Sequence, residues 1–274
     1  MTKKSKIHTG STAKRTSKPE VKTSGDWRPW LLAVIAFLLF STGLTNEMLG
    51  IDDHMATVDN PAVKDLVFTG FNLGMYAPVT WMGYALAYSI GGDNPFWYHL
   101  LSALVHAANV WLAYKVLLRL DVSTSVAFAV SLLFAVHPIQ VESVAWIAGF
   151  STPLFSMFCL LSTLFYLEHA QTEGGSWQHY GYSLGLFVVA CLAKSTAVML
   201  PVLLIVLDQF WKQPKIEPGK RWPGYVPYFL LALGFGLYTF HTRADIGVEV
   251  GALTNDFSPL ERAFLVCYTP LLYW

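Results

Sequence analysis

With 274 residues, 54% of them hydrophobic and 13% charged, this sequence has about half the charge of a soluble domain, where roughly 25% is usual. Eighteen basic side chains balance eighteen acidic ones, so nothing in the total charge calls for a nucleic-acid partner, and none is expected. The mean hydropathy of +0.44, with ten Trp and thirteen Tyr, suits a chain anchored at two membrane–water boundaries. The expected fold class is therefore all-α, a polytopic membrane helical bundle.

Residues 1–27 are rich in Lys, Ser and Thr and lack an apolar run, which predicts a disordered basic cytoplasmic tail. Residues 28–274 form the transmembrane domain. Its first span begins at Trp30–Leu44, and Glu47–Phe96 follows as a long external connection. Within that connection Ala77–Ile90 reads as a helix that starts at Pro78, too short to cross and uncharged, so it is expected to lie on the membrane surface. Trp97–Leu118 and Ser123–Val136 are the second and third spans. A connection, His137–Gly149, carries a short helix from Pro138 and leads into the fourth span at Pro153–Glu168.

Tyr182–Trp211 is thirty residues of apolar sequence interrupted by Lys194 and Pro201. A single helix of that length overshoots a hydrocarbon core of about 30 Å. The basic residues of the tail, Lys115 and Arg119, and Lys212 to Arg221 share one side if Tyr182–Trp211 is a hairpin that folds back near Lys194. Pro223–Thr242 is then a seventh span. Ala263–Trp274 opens an eighth that is too short to cross, which reads as the edge of a fragment or as a half-span leaning on a membrane-protein partner. With about seven to eight membrane helices, fourteen of the eighteen Lys and Arg are cytoplasmic. Eleven of the eighteen Asp and Glu then lie outside, among them the pair at the mouth of the first span.

That pair sits in Gly50–Asn60, Gly-Ile-Asp-Asp-His-Met-Ala-Thr-Val-Asp-Asn. Asp52 and Asp53 are consecutive and so point in different directions, which favours one inward carboxylate and one solvated or structural one over a shared-proton dyad. Held within reach of a hydroxyl, a carboxylate there serves as a general base; the alternative is a helix-terminal cap. Glu142 falls in the first turns of the second-loop helix, where the dipole alone favours an acid. Lys194, surrounded by apolar sequence, must pair with an anion, line a polar cavity or snorkel. Cys159, Cys191 and Cys267 read as buried hydrophobes. No metal-spaced Cys/His cluster and no phosphate loop is present in the sequence, so no cofactor and no metal-ligating residues are expected, and divalent-metal dependence stays open.

Five ordered segments resemble one family. They are the Asp-Asp loop, Tyr-Ala-Pro-Val-Thr-Trp-Met-Gly-Tyr, Tyr-His-Leu-Leu-Ser-Ala-Leu-Val-His-Ala-Ala-Asn, His-Pro-Ile-Gln-Val-Glu-Ser-Val-Ala-Trp-Ile-Ala, and Leu-Ala-Lys-Ser-Thr-Ala-Val-Met-Leu-Pro. The resemblance, from Glu47 to Trp211, is to bacterial relatives of the transmembrane and tetratricopeptide repeat-containing O-mannosyltransferases, within the GT-C membrane glycosyltransferases. It implies a GT-C-like membrane domain in a bacterial inner membrane with the Asp-Asp loop on the non-cytoplasmic face; the tetratricopeptide repeats of the family are not seen in this sequence. It implies sugar transfer from a polyprenyl-phosphate-linked donor to a protein or glycan hydroxyl. In that scheme Asp52, Asp53 and Glu142 are the catalytic acids, and His54, His137, Lys194 and Arg243 attend the lipid phosphate.

The sequence also departs from the family. Relatives carry a basic–acidic pair after Ala-Trp-Ile-Ala, where this chain has Gly149-Phe150-Ser151-Thr152-Pro153, and Ser195 follows Lys194. That departure suits a second expectation, a non-catalytic membrane subunit that keeps the fold and binds other membrane proteins.

Overall fold

A computed structural model describes residues 25–67, 76–211 and 218–254, together with Ser258, Glu261 and Phe264. The described residues are helical and contain no strand, as the composition predicts. In chain order the helices are α1 (Arg28–Ser41), α2 (Gly50–Ala56), α3 (Pro61–Lys64), α4 (Pro78–Gly91), α5 (Pro95–Arg119), α6 (Thr124–Val136), α7 (Gln140–Ala145), α8 (Ser151–Gln171), α9 (Trp177–Ala193), α10 (Leu200–Phe210) and α11 (Pro218–Thr254). Two 3₁₀ turns, Ile147–Phe150 and Ser195–Met199, precede α8 and α10.

Proline and asparagine set several of these starts. Pro29, Pro78 and Pro95 stand in first turns, where a missing N–H costs nothing. Asn94 caps α5 by accepting from the Phe96 N–H at 3.0 Å. Two stretches, Pro95–Arg119 and Ile147–Gln171, are long and apolar enough to cross a bilayer, and Arg28–Ser41, Thr124–Val136 and Ser195–Gln209 are shorter apolar helices. Lipid-suited surface is plain on α1, α6 and α11, where Val34, Leu38, Val130, Leu133, Leu230 and Leu233 stand exposed.

Helices meet through small residues and buried polar bridges, the pairing expected where no hydrophobic drive separates protein from lipid. Fully buried Ala36, Ala127 and Ala135 sit in the cluster that joins α1, α5 and α6. His106 on α5 bonds the Ala135 carbonyl at 3.2 Å, and Asn109 donates to the Pro153 carbonyl at 2.8 Å. Ser162 of α8 and Ser183 of α9 each donate to the other's carbonyl, at 2.8 and 2.5 Å, and the Tyr228 hydroxyl of α11 donates to Ser183 Oγ at 2.6 Å.

These bridges sort the loops to two ends of the bundle. At one end Tyr114 donates to Asp26, Arg119 pairs with Glu168 at 2.8 Å and bonds Gln171. There too the Tyr166 hydroxyl reaches Asp208 at 2.6 Å, and Tyr180 donates to the Gly224 carbonyl. The end of α10 therefore lies beside the start of α9, so the chain does reverse between them, as the run around Lys194 predicts. The break is Lys194 itself, in extended conformation (φ −157°, ψ 130°). The loops before α3, between α7 and α8, and at Lys194 share the opposite end.

Some expectations shift. The fourth-span helix begins earlier, continuous from Ile147 with a 3₁₀ first turn. The helix expected from Pro223 begins at Pro218 and takes Pro223 and Pro227 inside it. Two helices, not seven or eight, meet the length and hydropathy of a crossing among the described residues. The basic tail before residue 25, Cys267 and nearly all of Ala263–Trp274 lie outside the described residues.

The α8–α9 contact gives a prediction with two signs. Ser183→Ala removes the acceptor of the Tyr228 hydroxyl and the donor to the Ser162 carbonyl, and is expected to lower stability by about 0.6–1.7 kcal/mol. Gly181→Ala, on the same helix with open space around its Cβ position, gains up to about 1 kcal/mol of helix propensity. Thermal unfolding in one detergent reads both.

Candidate functional site

The opposite end of the bundle is a cleft of about 390 Å³ lined by Asp52, Glu142, Ser143, Trp146, Ala148, Gly149, Ser151, Thr152 and Lys194. Small-molecule sites are commonly roughly 300–1,000 Å³, and the cleft falls in that range. Three chain segments build it: α2 from the first loop, the α7–α8 connection, and the Lys194 break.

α2 begins at Gly50, whose φ of +59° is a left-handed turn that favours glycine. Asp52 and Asp53 occupy its first turn, where the helix dipole favours acids. Successive helical residues differ by about 100° around the axis, so one carboxylate must face away from the other. Asp53 is the inward one, 1% exposed. Its Oδ2 accepts from the Leu49 N–H at 2.7 Å and its Oδ1 from the Ala148 N–H at 2.8 Å. The first contact caps its own helix; the second ties the first loop to the second across ninety-five positions of sequence. Asp52 is exposed, lines the cleft and has no hydrogen bond or ion pair among the described residues.

Glu142, in the first turn of α7, is exposed on the cleft wall, while Val144 anchors the helix to the core. Gly149 is required by close approach: a Cβ there would stand 2.7 Å from the Glu142 carbonyl oxygen. Lys194 is half-buried between α9 and the next 3₁₀ turn. Its Nζ donates to Thr152 Oγ1 at 2.7 Å and lies 5.9 Å from the Phe155 ring centre. Burial pushes its pKa below the usual lysine range, and the Glu142 carboxylate opposes that shift. The result is a cation whose direct partner is a neutral hydroxyl.

Of the residues marked from sequence, Asp52, Glu142 and Lys194 are brought together. Asp53 is adjacent but faces the protein, as a link between loops. His54 is exposed and outside the cleft lining. His137 is also exposed; its Nδ1 accepts from the Ile139 N–H at 3.2 Å, at the entry to α7, away from the cleft. Arg243 lies on α11, with its side chain outside the described residues. Thr152 and Trp146 were not marked. In the sequence Thr152 marks only the place of a missing charge, and its contact with Lys194 depends on the tertiary register of the fold-back. No group of three or more His, Cys, Asp or Glu among the described residues could hold a metal ion.

Residues 76–238 match the family described as dolichyl-phosphate-mannose-protein mannosyltransferase, more than half of the chain. The match takes in Glu142, Trp146–Thr152 and Lys194 and begins after Asp52. Protein O-mannosyl-transferase TMTC2 of Mus musculus is 36% identical over 138 residues, 49% of this chain and 16% of that protein. The Homo sapiens protein of the same name is 36% identical over 140 residues, with the same two shares. Protein O-mannosyl-transferase TMTC1 of Homo sapiens is 30% identical over 221 residues, 70% of this chain and 25% of that protein. The chain thus spans a quarter or less of the length of these relatives. No solved structure matches.

The division between the two aspartates predicts unequal stability effects. Asp53→Asn turns one acceptor oxygen into a donor facing a backbone N–H and is expected to cost about 1–3 kcal/mol. Asp52→Asn, at an exposed and unpartnered site, is expected to stay within about 0.5 kcal/mol of the parent. Unfolding monitored in detergent distinguishes them.

Proposed function

This chain belongs to the dolichyl-phosphate-mannose-protein mannosyltransferase family, and we propose on that footing that it transfers a sugar at the Asp52–Glu142–Lys194 cleft. The donor is a polyprenyl-phosphate-linked sugar and the acceptor a hydroxyl of a protein or glycan. The membrane carries the bundle as a multi-pass domain, with the cleft on the non-cytoplasmic face and α4 along the surface. The relatives are named as protein O-mannosyl-transferases, which makes mannose the first sugar to test.

The observation that carries the reading is a free, exposed carboxylate, Asp52, in the same cleft as a half-buried ammonium, Lys194, that is hydrogen-bonded to a neutral partner. In the reaction the acceptor oxygen forms a bond to the anomeric carbon while its proton passes to Asp52. The bond from that carbon to the phosphate oxygen breaks, and its electron pair leaves on the phosphate. Lys194 faces the negative charge that collects there, in surroundings where burial strengthens the attraction. Glu142 supports the protonated state of Lys194. Asp52 is the better base of the two cleft acids because Glu142 already interacts with Lys194. Asp53 holds the frame.

Transfer from a polyprenyl-phosphate-linked mannose to a hydroxyl acceptor, in detergent or nanodiscs, is the direct assay. Asp52→Asn is expected to lower kcat by about 10²–10⁴-fold with the fold intact; full activity in that variant contradicts the assignment.

The cleft also sets a pH signature. Lys194 loses its proton at a lower pH than an ordinary lysine, so anion binding and kcat/KM fall on the alkaline side as pH rises through that lowered value. Glu142→Gln removes the carboxylate that raises the lysine's pKa, and the alkaline limb is expected to move to lower pH. A limb that stays in place, or moves upward, shows that Lys194 does not set it.

A further inference from the structure

Two walls of the cleft are gripped from behind by one helix that contributes nothing to its lining. On α4, the Thr80 hydroxyl donates to the Ala193 carbonyl at 2.8 Å, and the Tyr84 hydroxyl donates to the Ile147 carbonyl at 2.8 Å. Both side chains are buried, and residues four apart share one face of a helix. The accepting carbonyls belong to the residues directly before Lys194 and Ala148. Resting on the transferase reading of this cleft, we propose that α4 is a positioning element for the reaction, with Tyr84 setting the loop that holds the aspartates and Thr80 setting Lys194.

Carbonyls that their own helix leaves unsatisfied need this grip. α9 stops at Ala193; the Lys194 N–H still bonds the Ala190 carbonyl at 2.9 Å, but the helix no longer supplies a donor for the Ala193 carbonyl. Buried polar groups left unpaired are costly, and Thr80 meets this need for Ala193. Without that bond the Ala193–Lys194 peptide turns to find another donor, and the lysine turns with it. The Ile147–Ala148 peptide is held on both sides: Tyr84 donates to its oxygen, and Asp53 accepts from its nitrogen. Burial and the nearby Asp53 charge hold the Tyr84 phenol well above its usual pKa, which keeps it a donor.

Close packing makes the grip stiff. A Cβ on Gly83 would meet the Phe150 ring at 2.5 Å, and the Tyr84 and Phe150 rings stand 5.5 Å apart. The other face of α4 carries Met82, Leu86 and Ile90, all exposed and none in the cleft lining. They supply the control.

The test compares Tyr84→Phe, Thr80→Val, Thr80→Ser and Met82→Ala in the full chain. It measures mannose transfer from a polyprenyl-phosphate donor, and hydrogen exchange in peptides covering residues 146–150 and 192–199. Tyr84→Phe is expected to lower kcat by roughly ten- to a hundredfold, keep the donor KM within about twofold, and speed exchange at 146–150. Thr80→Val raises the donor KM and speeds exchange at 192–199; Thr80→Ser restores both, and Met82→Ala changes neither. Parent-like kinetics and exchange in Tyr84→Phe and Thr80→Val overturn the proposal, as does a Thr80→Ser variant no better than Thr80→Val. If Tyr84→Phe fails to fold, the Thr80 pair decides. If the parent transfers no mannose, the transferase reading fails, and exchange alone decides whether α4 holds these loops.

Discussion

A single peptide group, between Ile147 and Ala148, holds the cleft together. Its carbonyl takes the Tyr84 hydroxyl and its N–H is taken by Asp53, so the first loop, the second loop and α4 converge on four atoms. Each partner is buried, and in a low-dielectric interior both bonds are strong and both are costly to lose. The order has a consequence for function. An aspartate that satisfies two backbone N–H groups is fixed in place, and its neighbour in the helix is thereby aimed at the cleft with no partner of its own. Rigidity at Asp53 is what leaves Asp52 available.

A second constraint acts on charge. This chain carries few ionised side chains, and in the cleft two acids and one base share a small volume beside apolar helices. Lys194 is drawn toward the neutral state by burial and toward the charged state by Glu142. Its hydrogen bond to Thr152 fixes direction without cancelling charge. An acid at position 152 would neutralise the ammonium; a hydroxyl leaves it facing outward. The missing charged pair after Ala-Trp-Ile-Ala is therefore compatible with a working anion site, because the lysine that remains is held by another kind of group. The same geometry explains why the α7–α8 connection cannot drift, since Gly149 lies against the Glu142 carbonyl.

Much of the scaffold was legible in sequence because helix starts and breaks have local causes. Pro78 and Pro95 mark their helices, and the apolar run around Lys194 is too long for one crossing and does reverse there. Two spans meet the criteria of length and hydropathy among the described residues where seven or eight were expected, since α1, α6 and α10 are short; α1 and α6 pack on α5, and α10 on α11. Asp52, Glu142 and Lys194, which the charge count assigns to one side, line one cleft at one end of the bundle. What could not be read were contacts set by tertiary register. That Asp53 and not Asp52 turns inward depends on where Ala148 lies. That His137 turns to the Ile139 N–H ahead of α7, away from the cleft, depends on the local path of the chain, and that Thr152 meets Lys194 depends on how α8 and α9 pair.

The most direct test is a structure of this protein in a lipid nanodisc with a non-transferable polyprenyl-phosphate mannose bound. The account predicts the phosphate within about 3 Å of Lys194 Nζ, the anomeric carbon on the Asp52 side of the cleft, and Asp53 still bonded to the Ala148 N–H. A donor seated at the other end of the bundle beside Arg119, or an Asp53 carboxylate that has left Ala148 to face the sugar, would contradict it.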